Sequence, residues 1–426
     1  MEHSERPQTG TGTTPVAPSR PRSPFATVGP AAAIALAYCV AIIVWVGFGD
    51  RLPGGRWLAV HLFTLGALTN AVVAFSQHFG RTVTRAAEER WYWQQIVMNV
   101  GVVLVLAGIP TGQRWATATG ATVVTAVVLA SYRRLRRMRR QAVGARFAWI
   151  ARTYERAHGA FVHGATLGLL LGVGVLSGTW YGTGRIAHLH VNVLGWGGLT
   201  LLATLVFFGP TMVRARIEDG ADARAATVLR HGATGLTIAV LLLLASGVGG
   251  AVGVALRLLA AVGLGVYAWA ATVVCLPVIR VARAAKPSAA RLPLVWLCVW
   301  FAVVAWSDVL VIALGRVDLL DALGVAALAG VLAQAIATAL TYVAPMMRGT
   351  SRNDRDRIMA RFERGGMART TVYNLGVAAV TVAAAGGTAL EVAGTRLAMA
   401  GWGLLALVVV VQIAMGLWPV RDGAAA

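Results

Sequence analysis

The sequence is poor in most of what a soluble enzyme uses. Only 13% of its 426 residues are charged, against about a quarter in ordinary globular domains, which excludes a water-soluble domain of that kind. Lysine is nearly absent, Lys286 being the only one. The three cysteines, Cys39, Cys275 and Cys298, lie inside apolar runs. With no CxxC spacing and no framework of pairs they read as small buried hydrophobes. No two histidines are adjacent, and no Walker loop, GxSxG, HExxH or paired-carboxylate constellation stands in a supporting context.

What the chain has instead is apolar length. Hydrophobic residues make up 57% and the mean hydropathy is +0.68. About 20 residues of helix cross the hydrocarbon core, and twelve runs approach that length: 28–48, 57–79, 94–110, 115–132, 157–178, 187–213, 227–247, 255–279, 292–315, 321–347, 367–389 and 394–419. The net charge of +21 sits in the short segments between them. If the N-terminus is inside, 31 lysines and arginines fall on inner segments and 7 on outer ones. Such alternation sets membrane orientation and argues against nucleic acid as partner. The expectation is an all-α polytopic protein of the plasma membrane, with twelve spans and both termini cytoplasmic. Residues 1–27 read as a disordered cytoplasmic tail, 28–419 as the transmembrane domain and 420–426 as a short tail.

Two inner segments stand out. Residues 133–156, which follow Tyr132 and open RRLRRMRRQ, read as the largest inner loop, placed to meet anionic headgroups. Residues 351–366 mix both charge signs at helical spacing and read as a surface helix ended by Gly365 and Gly366. No internal sequence repeat is evident. Gly164, Gly168 and Gly172 line one face of the fifth span, for close helix packing or for a flat cofactor.

Histidines carry the chemistry. Side chains able to bind metal are expensive at membrane depth and mark function by default. The predicted topology sorts them by depth. His61, His188 and His190 fall near the outer face. His78 and His163 lie toward the inner side, with His158 and His231 near them. His61 and His78 are about 25 Å apart along one helix and cannot share a metal. His188 and His190 point to nearly opposite sides of a regular helix and can face two sites. Imidazole suits haem iron and copper alike. The alternative for each histidine is a hydrogen bond to backbone or water at a helix end.

Three stretches carry a resemblance: HLFTLGALTNAVVAFSQHF, HLHVNVLGWGGLTLLATLVFFGPTMVR and GVLAQAIATALTYVAPMMRG. They resemble the actinobacterial polytopic membrane domain associated with multicopper oxidases and copper nitrite reductases. That group is similar to NnrS, a haem- and copper-containing protein of nitric-oxide response, and distantly to haem-copper oxidase subunit I. The resemblance implies haem b or copper, with His61 and either His188 or His190 as ligands. It also implies a redox partner or cupredoxin-type oxidase. Departures are plain. There is no His-His pair, the tenth span has no histidine, and no cupredoxin Cys-His-Met pattern lies within these 426 residues. Oxygen reduction and multicopper-oxidase chemistry are therefore not expected.

Other intramembrane polar groups read mostly as structural. Asn70, Asn99 and Asn192 are expected to bond between helices. Asp308 is the one carboxylate well inside a span, either a proton relay or the partner of a buried arginine such as Arg257. Three functions remain: a haem or copper protein of redox or nitric-oxide and copper-stress type, a twelve-span transporter without redox cofactor, and a cofactor-free assembly subunit.

Overall fold

A backbone held away from water must satisfy its own N–H and C=O groups, and this chain does so by helix. The computed structural model describes residues 28–48, 51, 53–87, 92–142, 146–386 and 391–418, and no strand occurs among them. The expected tails, 1–27 and 420–426, lie outside the described residues. Helices that continue through a π or 3-10 turn are treated as one. They are α1 (Gly29–Phe48), α2 (Gly55–Thr84), α3 (Tyr92–Gly108), α4 (Arg114–Gln141), α5 (Ala148–Gly172) and α6 (Gly178–Met212). They continue as α7 (Ala221–Val248), α8 (Gly250–Ala284), α9 (Arg291–Leu314) and α10 (Val317–Arg348), then α11 (Arg352–Glu363), α12 (Gly366–Ala385) and α13 (Glu391–Leu417).

Among the described residues, nine helices are long and apolar enough to cross a bilayer. α3 is apolar but shorter, and α5 and α12 fall outside that set. α5 opens with AWIARTYERAH, whose charged residues dilute its first half.

The expected loop 133–156 is mostly helix. YRRLRRMRRQ forms the last turns of α4, because Leu135 and Met138 in it are buried against the bundle. Arg139 pairs with Glu155 of α5 at 2.5 Å. The surface helix forms as expected, over Arg352–Glu363. Ser351 caps it in a reciprocal box with Asp354, and Ile358 and Phe362 are its buried residues.

The order of helices hides a repeat. Among the described residues, three helices contain π segments: Leu62–Leu68 in α2, Val191–Gly198 in α6 and Ala326–Ala333 in α10. Long π segments are rare and concentrate at functional sites. The fifth residue of each is glycine: Gly66, Gly195 and Gly330. A Cβ at these glycines would strike the first helix of the same group of helices: Tyr38 of α1, Ala160 of α5 and Trp300 of α9. The last two long helices of each group then cross at a reciprocal glycine pair. A Cβ on Gly101 would lie 2.9 Å from the carbonyl oxygen of Gly120, on Gly235 2.7 Å from that of Gly263, and on Gly376 3.0 Å from that of Gly401. The chain is thus three structurally matching units, α1–α4, α5–α8 and α9–α13, with α11 inserted in the third. The π-bearing helices meet at the centre, where Gly197 lies between Leu332 and Leu68.

These crossings leave no room for side chains. Gly235→Val would place methyl groups against the Gly263 carbonyl, and overpacking of this kind costs about 1–3 kcal/mol or more. The expected outcome is a clearly lowered midpoint in a thermal melt of the detergent-purified protein, and Gly376→Val should behave alike.

Candidate functional site: an imidazole pair between the first two units

His61 closes the first turns of α2, directly before its π segment. Its Nδ1–H donates to the Trp57 carbonyl at 2.8 Å, one turn back. The Trp57 indole stacks on the ring, centroids 4.1 Å apart. His188 stands at the corresponding end of α6, and its Nδ1–H donates to the carbonyl of Gly164 on α5, also at 2.8 Å. A carbonyl only accepts, so both Nδ1 atoms carry hydrogen. In neutral rings each Nε2 then keeps a lone pair. A metal-binding histidine is commonly held this way, its second nitrogen fixed by a backbone carbonyl.

The two rings are half-buried and nearly parallel, with centroids 6.5 Å apart and planes 19° from one another. That is wider than direct stacking of the Trp57–His61 kind.

α5 makes room for this arrangement. A Cβ on Gly168 would lie 2.7 Å from His188 Cε1, and one on Gly164 would strike the Asn192 amide. Asn192 itself donates to the His188 carbonyl at 2.8 Å. The glycine face of the fifth span therefore accommodates two side chains of α6. Gly168→Ala is expected to push the His188 ring out of line while leaving the fold intact. Any group bound by the pair should fall to a minor fraction of wild-type loading, measured per mole of purified chain.

His190 does not join them. It lies across α6 from His188, fully buried, with Nδ1–H donating to the Ile186 carbonyl and Nε2 3.0 Å from Asp308 Oδ1. The expected three-histidine set His61, His188 and His190 is therefore split between two faces of one helix. Among the described residues, no three of His, Cys, Asp and Glu converge on a common point. Because Nδ1 carries hydrogen, the His190–Asp308 contact needs one more proton, on Nε2 or on the carboxyl. Asp308 Oδ2 is buried without a hydrogen bond. The expected partner Arg257 is elsewhere, its guanidinium packed against Gly315.

The second expected group is not brought together either. His78 is buried edge-on to Phe79. His163 lies exposed on α5, its Nδ1–H on the Gly159 carbonyl, and His231 is exposed on α7. His158 is buried and saturated: Nδ1–H donates to Tyr154 O, and Nε2 accepts from Ser131 Oγ at 2.9 Å. Asn70 exchanges two amide hydrogen bonds with Asn99, at 3.0 and 2.9 Å. Trp57 escaped the sequence reading, although its spacing of four from His61 puts both on one helix face. No family model matches the chain, and no curated protein matches it.

Proposed function

We propose that the chain crosses the membrane twelve times, with both ends cytoplasmic, and holds one redox-active metal centre between His61 and His188 near the outer face. The single observation that carries the metal centre is the imidazole pair, while the twelve crossings and the orientation rest on the apolar runs and the alternation of arginines. Two half-buried rings from different units have their Nδ1 atoms fixed by carbonyls, and their centres are 6.5 Å apart. The donor set narrows the choice. Two imidazoles without a third protein ligand suit haem iron, whose macrocycle supplies the other four positions, or two-coordinate Cu(I). A closed tetrahedral zinc site needs four protein ligands and does not fit.

When bound, such a group supplies one-electron exchange. The protein's part would be to hold two neutral imidazoles nearly parallel, 6.5 Å apart, stack Trp57 on one and keep α5 clear beside the other. This supports a role in electron transfer or in nitric-oxide and copper stress. A reduced-minus-oxidised absorption spectrum, with metal analysis of the same detergent-purified sample, tests it. A sharp haem band or one copper per chain is the expected result. A colourless, metal-free protein from a haem- and copper-replete host would sink the reading. The transporter alternative, which draws on the buried Asp308, would then be taken up through uptake assays on Asp308→Asn.

A further inference from the structure

The three matching units allow residue positions to be compared between them. With the π-segment glycines Gly66, Gly195 and Gly330 as anchors, His61, His190 and Val325 are one position, five residues before each glycine. His61 and His190 also share a conformation, each donating Nδ1–H to the carbonyl four residues back, at 2.8 Å in both. Seven residues before the same glycines stand Ala59, His188 and Leu323. On the first helix of each unit, Tyr38, Ala160 and Trp300 oppose the glycines. Eight residues further on stand Val46, Gly168 and Asp308.

The two clefts now line up. Between the first and second units, His61 faces the next unit, where Gly168 leaves space and His188 fills it. Between the second and third, His190 faces the next unit, where Asp308 stands in place of Gly168 and Leu323 in place of His188. The carboxylate meets His190 Nε2 directly at 3.0 Å. Tyrosine hydroxyls reach the corresponding carbonyl in the second and third units, from different helices of the unit, α8 and α12. Tyr267 donates to the Leu194 carbonyl and Tyr373 to the Ala329 carbonyl, each one residue before the glycine.

We infer that the cleft between the second and third units is a second imidazole site of the same build, and that Asp308 closes it, so that the chain holds one metal centre rather than two. Asp308 thereby determines stoichiometry. It occupies the coordinating nitrogen of His190, and Leu323 withholds the second ring. The inference rests on the proposed His61–His188 site for its ligand class, haem iron or Cu(I), but the equivalence of the clefts does not depend on that ligand.

The test is a gain of loading. Asp308→Gly combined with Leu323→His rebuilds the first cleft's residues in the second. Haem and copper per chain are measured separately in wild type and in the double variant, after expression with both in excess. The expected result is a rise from one group to two of the same kind. Wild type at zero would mean that the proposed site is wrong. Wild type at one with the variant still at one would overturn the inference alone. If the double variant does not accumulate, the reverse exchange decides without any metal. In a His188→Leu background, Gly168→Asp should raise the melting midpoint by several degrees, and the gain should vanish when His61→Leu is added. No coupling between the introduced carboxylate and His61 would overturn the equivalence of the clefts.

Discussion

His61→Ala and His188→Ala are each expected to abolish the redox spectrum and metal content of the purified protein, whereas His190→Ala leaves loading at the wild-type stoichiometry. The contrast within one helix is what makes the result informative. His188 and His190 are two residues apart, at the same depth and of the same chemistry. Only the direction of their side chains separates them. His188 shares its cleft with His61 at 6.5 Å, and His190 is taken by Asp308 at 3.0 Å. Loss of one of the two imidazoles would leave the other unable to hold the proposed group against dilution in detergent, so near-complete loss is expected rather than a graded decline. The readouts are band amplitude and metal per chain, compared at equal protein in monodisperse fractions. Equal loss in all three variants would remove the distinction between the two histidines and return the site to a general dependence on α6.

The second large effect is on stability, at His190 and Asp308. Both side chains are buried, at 0% and 8% exposure. Breaking a buried pair by removing one partner typically costs about 3–5 kcal/mol, because the remaining group is stranded in an apolar medium. His190→Leu strands the carboxylate and is expected to lower the melting midpoint strongly. Asp308→Leu leaves a neutral imidazole and should cost less. Replacing both with leucine should recover much of the loss, since apolar packing of similar volume is often neutral where a buried polar pair was. Thermal melts of the two single variants and the double variant form a cycle that isolates the coupling. A double variant no better than His190→Leu alone would show that the pair is not what stabilises this face.

The glycine crossings explain why the repeat escaped a reading of the sequence. The chain contains 49 glycines, so Gly101, Gly120, Gly235, Gly263, Gly376 and Gly401 do not stand out in a list. Around them the side chains of the three units differ, since most face lipid or other apolar side chains and need only be hydrophobic. The constraint that survives is steric: two backbones touch at one point, and only a residue without Cβ fits. The same holds for the π segments. LFTLGAL, VNVLGWGG and AALAGVLA share a glycine register but little else. A wide helical turn is the backbone's response to what packs against it, and no short motif announces it.

The sequence by itself determined that this is a helical membrane protein, because apolar run length and scarcity of charge are one-dimensional properties that a bilayer reads directly. It also determined that α11 is an amphipathic helix, which the mixed charges at helical spacing and the closing Gly365 and Gly366 declare locally. His188 and His190 could be assigned to opposite sides of their helix from the 100° turn per residue alone. Only the tertiary structure decided which neighbour each one meets. His61 reaches His188 because Gly164 and Gly168 clear the face of α5. Asp308 reaches His190, and not Arg257, because the third unit repeats the placement of the second. A lone histidine's partner depends on residues more than a hundred positions away, and contacts at that range are set by how whole helices pack.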